Sequence, residues 1–334
     1  MLTGLMSSAQ NSTSPGSEVV TYAGQPVSMC ENTVRVQLVS ALQGAMQGNR
    51  QESFQGMEVY GDLVLSAQNR GWMTIYNYDG KQLKRIVEPF KMDCFDENNH
   101  SNVVTLSSYR YDASDPLPLL YVSQCARQPW QGMKDVLFVE RIARDMKSTQ
   151  TVQVIHFQDQ NHLFGYALQW VIDRENNMLY GYGNTVNNED AANKHRIVKF
   201  RLPKIDEGEN GRVTLTEKDI LENYLVEDTY HHPFMPIGQG LFIRNGQLFM
   251  PTGFGSDKHP SILYVWNLNT RTMQNVIDLS KATFGELEDC AAWGNSLLLQ
   301  TQGNLFRLDF YSSSHSLGTR IYMHSSQMVS HTHQ

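Results

Sequence analysis

Apolar residues in this chain recur at every second position in short runs, and small turn residues separate the runs. Val34, Val36 and Leu38 alternate with Arg35, Gln37 and Val39. That period sends successive side chains to opposite faces of a strand. One longer phrase repeats. It reads Gln55-Gly56-Met57-Glu58-Val59-Tyr60-Gly61-Asp62-Leu63-Val64-Leu65 in its first copy. It returns as Gln239-Gly240-Leu241-Phe242-Ile243-Arg244-Asn245-Gly246-Gln247-Leu248-Phe249, and again as Glu288-Asp289-Cys290-Ala291-Ala292-Trp293-Gly294-Asn295-Ser296-Leu297-Leu298. Each copy is an apolar strand, a tight Gly, Asn or Asp turn, and a second apolar strand.

Self-similarity of this kind marks a repeat architecture. Five units are predicted. Strands fall near 56–60, 63–67, 74–78 and 82–87, then 102–107, 119–123, 136–142 and 151–157. The third unit takes 168–172, 178–182, 197–202 and 213–216; the fourth takes 240–244, 248–251, 262–267 and 273–278. The fifth has only 289–293, 296–300 and 305–310. Four short antiparallel strands per unit, set around an axis, describe an all-β fold, a single β-propeller. Five four-stranded blades are expected, with six as the alternative. The missing strand of the last unit is assigned to 34–39, with 319–323 as the other choice. Closing the ring with a strand from the far end of the chain removes open edges. The propeller is expected over 18–311, with a disordered tail or signal remnant at 1–17 and a C-terminal tail at 312–334 that packs on it.

The units are uneven. Insertions occur at 127–134, 184–194 and 204–228, and 216–224 has the start pattern of a short helix. Insertions on a repeat scaffold either serve a binding face or are tolerated surface loops.

Composition narrows the partners. Charged residues are 18% of the chain, below the usual ~25%, and the formal net charge is −7. No run of five basic residues occurs, so nucleic acid lacks its electrostatic footprint. No stretch of 18 apolar residues is present to span a membrane. Cys30, Cys94, Cys125 and Cys290 form no CxxC pair; they are read as buried thiols, with a Cys94–Cys125 disulfide as the alternative in an exported protein.

No GxSxG elbow, P-loop, HExxH or strand-linked GxGxxG is found. The repeat is the better guide to a site. In a propeller the first strand of each blade lines the central channel, so residues at its start sit on one rim. Counting back seven residues from the turn gives Gln55, Gln239 and Glu288. The second unit offers Ser101 or Asn102 there, and the third Ala167 or Leu168. Around them fall Phe54, Asn99, His100, Tyr166, Gln169, Trp170, His231, His232 and Glu286. Ligand-binding candidates are therefore Gln55, Asn102, Tyr166, Trp170, His231 and Gln239. Catalytic candidates are Glu286, Glu288 and His100. Two carboxylates brought close raise one pKa, which suits an acid–base pair or a cation such as Ca²⁺ in the channel. The bland alternatives are amides that only bridge blades and a carboxylate held by Arg.

Gln239-Gly240-Leu241, followed by the run from Asn245-Gly246-Gln247 through Pro251-Thr252-Gly253-Phe254-Gly255, resembles a blade motif of the plant- and bacterial-type glutamine cyclotransferases. So does Gly285-Glu286-Leu287-Glu288 ahead of Trp293-Gly294-Asn295. The same strand–turn–strand phrase occurs in lactonase-like and TolB-like propellers. The resemblance implies a five-bladed propeller and cyclisation of N-terminal glutamine. Met250, however, stands where the family carries a Glu, and Gly285 where it carries Asn. Methionine cannot move the proton that amide displacement needs. The composition is also similar to that of exported propellers of gut Bacteroidetes, which implies a periplasmic or secreted protein, with a cytoplasmic one as the alternative. Two functions follow. The first is a non-catalytic propeller binding a peptide, glycan or protein at the rim. The second is a lactonase-like or cyclotransferase-like enzyme using the channel carboxylates.

Overall fold

A computed structural model describes residues 19–22, 25–28, 33–166 and 168–311. The expectations for 1–17, 312–334, 319–323, Cys30 and Ala167 lie outside those residues. Five sheets of four or five strands, antiparallel but for one strand of the second, follow one another along the described residues. The first blade is Phe54–Tyr60, Leu63–Gln68, Trp72–Tyr78 and Leu83–Lys91. The fourth is Phe242–Arg244, Gln247–Thr252, Ile262–Asn267 and Thr272–Asp278. The fifth pairs Leu287–Trp293, Ser296–Thr301 and Asn304–Tyr311, and its outer strand is Thr33–Ala41 from the N-terminal side. The predicted five-bladed ring, closed by an N-terminal strand, is the observed one.

The turns explain the repeated phrase. Asn245 and Gly246 take φ of 51° and 71°, the left-handed pair that a two-residue hairpin requires. The glycine that follows each Gln has a different task. A Cβ on Gly56 would sit 2.7 Å from the Ser101 carbonyl oxygen, and one on Gly240 would sit 2.1 Å from Asp289 Oδ1. Both glycines lie flat against the next blade. The Gly56 N–H donates to Ser101 O at 2.9 Å and the Gly240 N–H donates to Glu288 O at 2.5 Å. Gln-Gly in the sequence is thus a blade-to-blade tie.

The hydrophobic core lies between blades. One cluster, with Leu65, Val104 and Phe138, fills the space between the first two; another, with Trp170, Phe200 and Phe157, lies between the second and third. Tyr264, Trp266 and Met250 pack between the third and fourth, and Phe249, Phe306 and Phe54 join the fourth, fifth and first. Inner strands are buried on both faces, while the outer strand Leu83–Lys91 alternates between covered and exposed. That gradient is why inner strands read as continuous apolar runs.

Two expectations change. The sequence pattern places 213–216 in the third blade; Arg212–Leu215 instead runs parallel to Thr149–Phe157 as a fifth strand of the second. The helix expected at 216–224 is one 3-10 turn, Glu217–Asp219. The start signal is real, because Thr216 and Asp219 form a capping box. The chain then extends, and Glu222–Leu225 becomes the outer strand of the third blade against His195–Arg201. Pairing with an unfilled sheet edge outweighs the local helical preference of a short segment.

Cys94, Cys125 and Cys290 are free thiols, so no Cys94–Cys125 bridge forms. Cys94 lies inside the core near Asn99 and Glu140, whereas Cys125 lines the channel mouth. Among the described residues no helix is long and apolar enough to cross a membrane.

Candidate functional site

The innermost strands start around one end of the channel, and a cavity of about 690 Å³ opens there. All five blades or their connecting loops contribute to its wall. Among its lining residues Asn102, Gln169 and Gln239 are buried and form its floor, Glu286 and Tyr166 are half-buried, and His100 and Phe254 are exposed. Gln55 and Glu288 are buried behind the floor and do not reach the wall.

The register explains these positions. Gln55 and Glu288 each fall in a bulge between their innermost strand and the next, ahead of Met57 and after Leu287. A bulge re-aims a side chain without breaking the sheet. The second and third blades carry Asn102 and Gln169 beside Val103 and Trp170 at the matching start. Leu168, one of the two residues predicted there, packs wholly in the core, so Gln169 supplies the polar group.

Asn102 Nδ2 donates to the Gln239 carbonyl at 3.1 Å, and Gln169 Nε2 donates to the same oxygen at 2.5 Å. Gln239 Nε2 donates to Glu286 Oε1 at 2.5 Å, and Gln302 Nε2 holds the other carboxylate oxygen. Four blades meet in this net. Burial pushes the Glu286 pKa up and the two amides pull it back in part. Glu288 is 2% exposed, with Oε1 unpartnered. Burial first, then the neighbouring Glu286 and Asp289, hold its pKa well above the ordinary carboxylate value. No Arg pairs with it among the described residues. His100 faces the opening, and desolvation by the surrounding walls lowers its pKa. Its imidazole has no hydrogen-bond partner among the described residues, and no hydrogen bond links it to Glu286 or Glu288.

Two further predicted site residues, besides Gln55 and Glu288, lie off the wall. Trp170 is 1% exposed; its indole N–H donates to the Asp135 carbonyl at 2.8 Å, and its ring packs on Phe200. The strand alternation that brings Gln169 to the channel turns Trp170 into the core between blades. His231 is exposed and off the cavity wall, as is His232, which packs beside Tyr230.

Several wall residues carried no signal in the repeat. Arg70 is neutralised by Glu52 and by Glu97 at 3.1 Å. Arg127, from the insertion at 127–134, lies 4.2 Å above the Tyr166 ring and donates to its hydroxyl at 2.6 Å. Asn184 and Asn188 come from the insertion at 184–194. Tyr182 comes from the second strand of the third blade, and Gly238 from the loop before the fourth.

Among the described residues no three His, Cys, Asp or Glu side chains gather as metal ligands. A hard cation such as Ca²⁺ needs about six to eight oxygens. The side-chain oxygens that line this channel are mainly amide oxygens, and Gln55 and Glu288 do not reach it. At the position where the resembling family carries Glu, Met250 is fully buried among apolar side chains and does not face the cavity.

No family model matches the chain, and no curated protein matches it. Among solved structures, the chain is similar to the glutaminyl cyclase of Myxococcus xanthus. Identity is 12%, the TM-score is 0.43, and the match covers 82% of this chain and 96% of that one. Such a likeness carries no activity from one protein to the other.

Proposed function

We propose that the channel mouth binds a small, largely uncharged glycan, and that the protein is a binding propeller. The observation that carries this reading is the chemistry of the wall. Side-chain amides of Gln128, Asn184, Asn188, Gln169 and Asn102 dominate it, and the exposed Phe254 adds an aromatic ring at its edge. Amides pair well with vicinal hydroxyls, and ring faces suit the C–H face of a sugar. The charges near the opening largely cancel, since Arg70 is already paired with Glu52 and Glu97. A nucleophile is not poised: burial pushes the Cys125 thiol up to about 12, so it carries no thiolate at neutral pH. A periplasmic or secreted setting belongs to the same reading.

One observation favours the enzymatic alternative. Glu286 reaches the cavity with a raised pKa, as an acid catalyst would. A calorimetric and thermal-shift panel of neutral oligosaccharides and glutaminyl peptides separates the two. An oligosaccharide at 100 times its Kd should add about 2.7 kcal/mol of stability, and Phe254→Ala should weaken binding about tenfold. Ammonia released from a glutaminyl peptide, and lost in Glu286→Gln, would replace the binding reading with a cyclotransferase-like one.

A further inference from the structure

We propose that Phe254 and Phe284 form an aromatic shelf at the edge of the mouth, so that the bound glycan is an oligosaccharide whose outer residues lie across them. This rests on the glycan reading above and adds chain length to it.

The shelf stands on two turns that touch. The first, 253–259, follows the second strand of the fourth blade; the second, 279–286, leads into the innermost strand of the fifth. A glycine follows each ring. Gly255 takes φ of 68° and Gly285 φ of 82°, the left-handed region that glycine enters without strain. A Cβ on Gly255 would lie 2.5 Å from the Gly285 carbonyl oxygen, so only a residue without one fits there. This approach brings Phe254 and Phe284, each one residue ahead, to one stretch of the rim.

Both turns are held by their own hydrogen bonds. The Gly253 N–H donates to Ile237 O at 3.0 Å, and the Phe254 N–H donates to His259 O at 2.9 Å. The Ala282 and Thr283 N–H groups both donate to Leu279 O at 2.9 Å. Each aromatic ring is braced by a nearly perpendicular one. Phe254 meets His259 at 5.4 Å and 85°, and Phe284 meets the buried Phe306 at 5.2 Å and 78°. Even so, Phe254 is 46% and Phe284 54% exposed, and they are the two exposed phenylalanines among the described residues. Apolar residues scattered singly over a surface need no explanation; two braced rings on adjoining turns beside a polar cavity do.

Phe254 lines the mouth; Phe284 does not, and stands two residues before Glu286, which does. A ligand that fills only the mouth therefore meets Phe254 alone. One that also covers Phe284 continues outward over the rim, with an apolar face toward the rings and polar groups toward water. A glycan chain has that form, since each sugar presents C–H groups on one face and hydroxyls around its edge. Rings already fixed by their turns have little freedom left to lose on contact.

The test is isothermal titration of the full chain with two neutral series, cellobiose to cellohexaose and maltose to maltohexaose. In the series that binds, affinity should rise about tenfold from the disaccharide to the longer members. Phe284→Ala should remove that rise, and Phe284→Tyr, which keeps a flat ring, should preserve it. Phe284→Leu keeps apolar cover over Phe306 and should behave as Phe284→Ala, which separates loss of the ring from a folding defect. Affinity that does not depend on length overturns the shelf and leaves the glycan reading standing. So does a rise that survives Phe284→Ala, and so does an equal loss at every length, which would make Phe284 a support of its turn. Binding of neither series overturns both readings. Binding of an apolar glutaminyl peptide in their place, weakened by Phe284→Ala, would give the shelf to a peptide.

Discussion

Two sets of buried polar groups sit on or beside the same inner strands, and they differ in what they touch. In the first set every polar end is engaged. Glu58 accepts from the Val59 and Leu106 N–H groups at 2.8 and 2.9 Å, and Asp289 accepts from Cys290 and Met57 at 2.9 and 2.8 Å. Gln300 donates to Gln55 O at 2.8 Å and accepts from Ser66 at 2.5 Å. The bonds from Leu106, Met57 and Ser66, and the one to Gln55 O, run from one blade to the next. In the second set Gln55 Oε1, Asn102 Oδ1, Gln169 Oε1, Tyr182 Oη and Glu288 Oε1 have no partner. Burial and residue type do not separate the sets; hydrogen-bond saturation does. Saturated groups hold the ring together. Unsaturated ones leave a buried hydrogen-bonding requirement unmet.

The largest effect should come from the saturated set. Asp289→Ala strands two buried N–H groups on strands of two different blades. Each orphaned group costs about 1–3 kcal/mol, so the variant should lose about 3 kcal/mol in urea unfolding. A loss below about 1 kcal/mol would break the comparison, since it would mean that the bonds between blades contribute little.

Glu288 sharpens the comparison, because its unpartnered oxygen belongs to an ionisable group. Burial raises its folded pKa well above its unfolded value, helped by Glu286 and Asp289. The folded state then holds a proton that the unfolded state releases. Stability from this group is complete below the unfolded pKa, near 4.5. It is lost as pH rises toward the folded value, by up to about 1.4 kcal/mol per pH unit. Glu288→Gln removes that loss. Its stability relative to wild type should climb from pH 4.5 toward neutrality, read as a difference in urea midpoints. A difference that stays flat with pH would mean that the carboxylate finds a partner in solution.

Most of the ring was legible in the sequence, because its signal is local. The Gln-Gly phrase, the Asn245-Gly246 turn and the alternation around Val34 each encode a strand or a hairpin within a dozen or so residues. Strand ownership at 212–225 was not legible. Both segments suit an edge, and the choice depends on which edge is open after three blades have formed. The site was legible only where it follows the repeat. Gln239 and Asn102 could be located by counting to the channel, and Glu286 from its place two residues before Glu288. Trp170 could not be placed, since one residue of register turns a channel residue into a core residue. Tyr182, Gly238 and Arg127 come from a second strand and two loops, whose distance from the axis is set by tertiary packing. Hydrogen-bond saturation was not legible, because the bonds that complete it join residues far apart along the chain.

The smallest expected effect is the most discriminating. Tyr182→Phe deletes a hydroxyl that is buried without a partner, while the ring keeps its packing against His195. Removing a satisfied buried hydroxyl would cost about 1 kcal/mol; removing an orphan should cost nothing and can stabilise by up to about 1 kcal/mol. The expected change in unfolding free energy therefore lies between zero and a small gain, against the loss of about 3 kcal/mol for Asp289→Ala. A clear loss for Tyr182→Phe would place its hydroxyl among the saturated groups, held by a bound water. The floor of the mouth would then be part of the ring's own bonding.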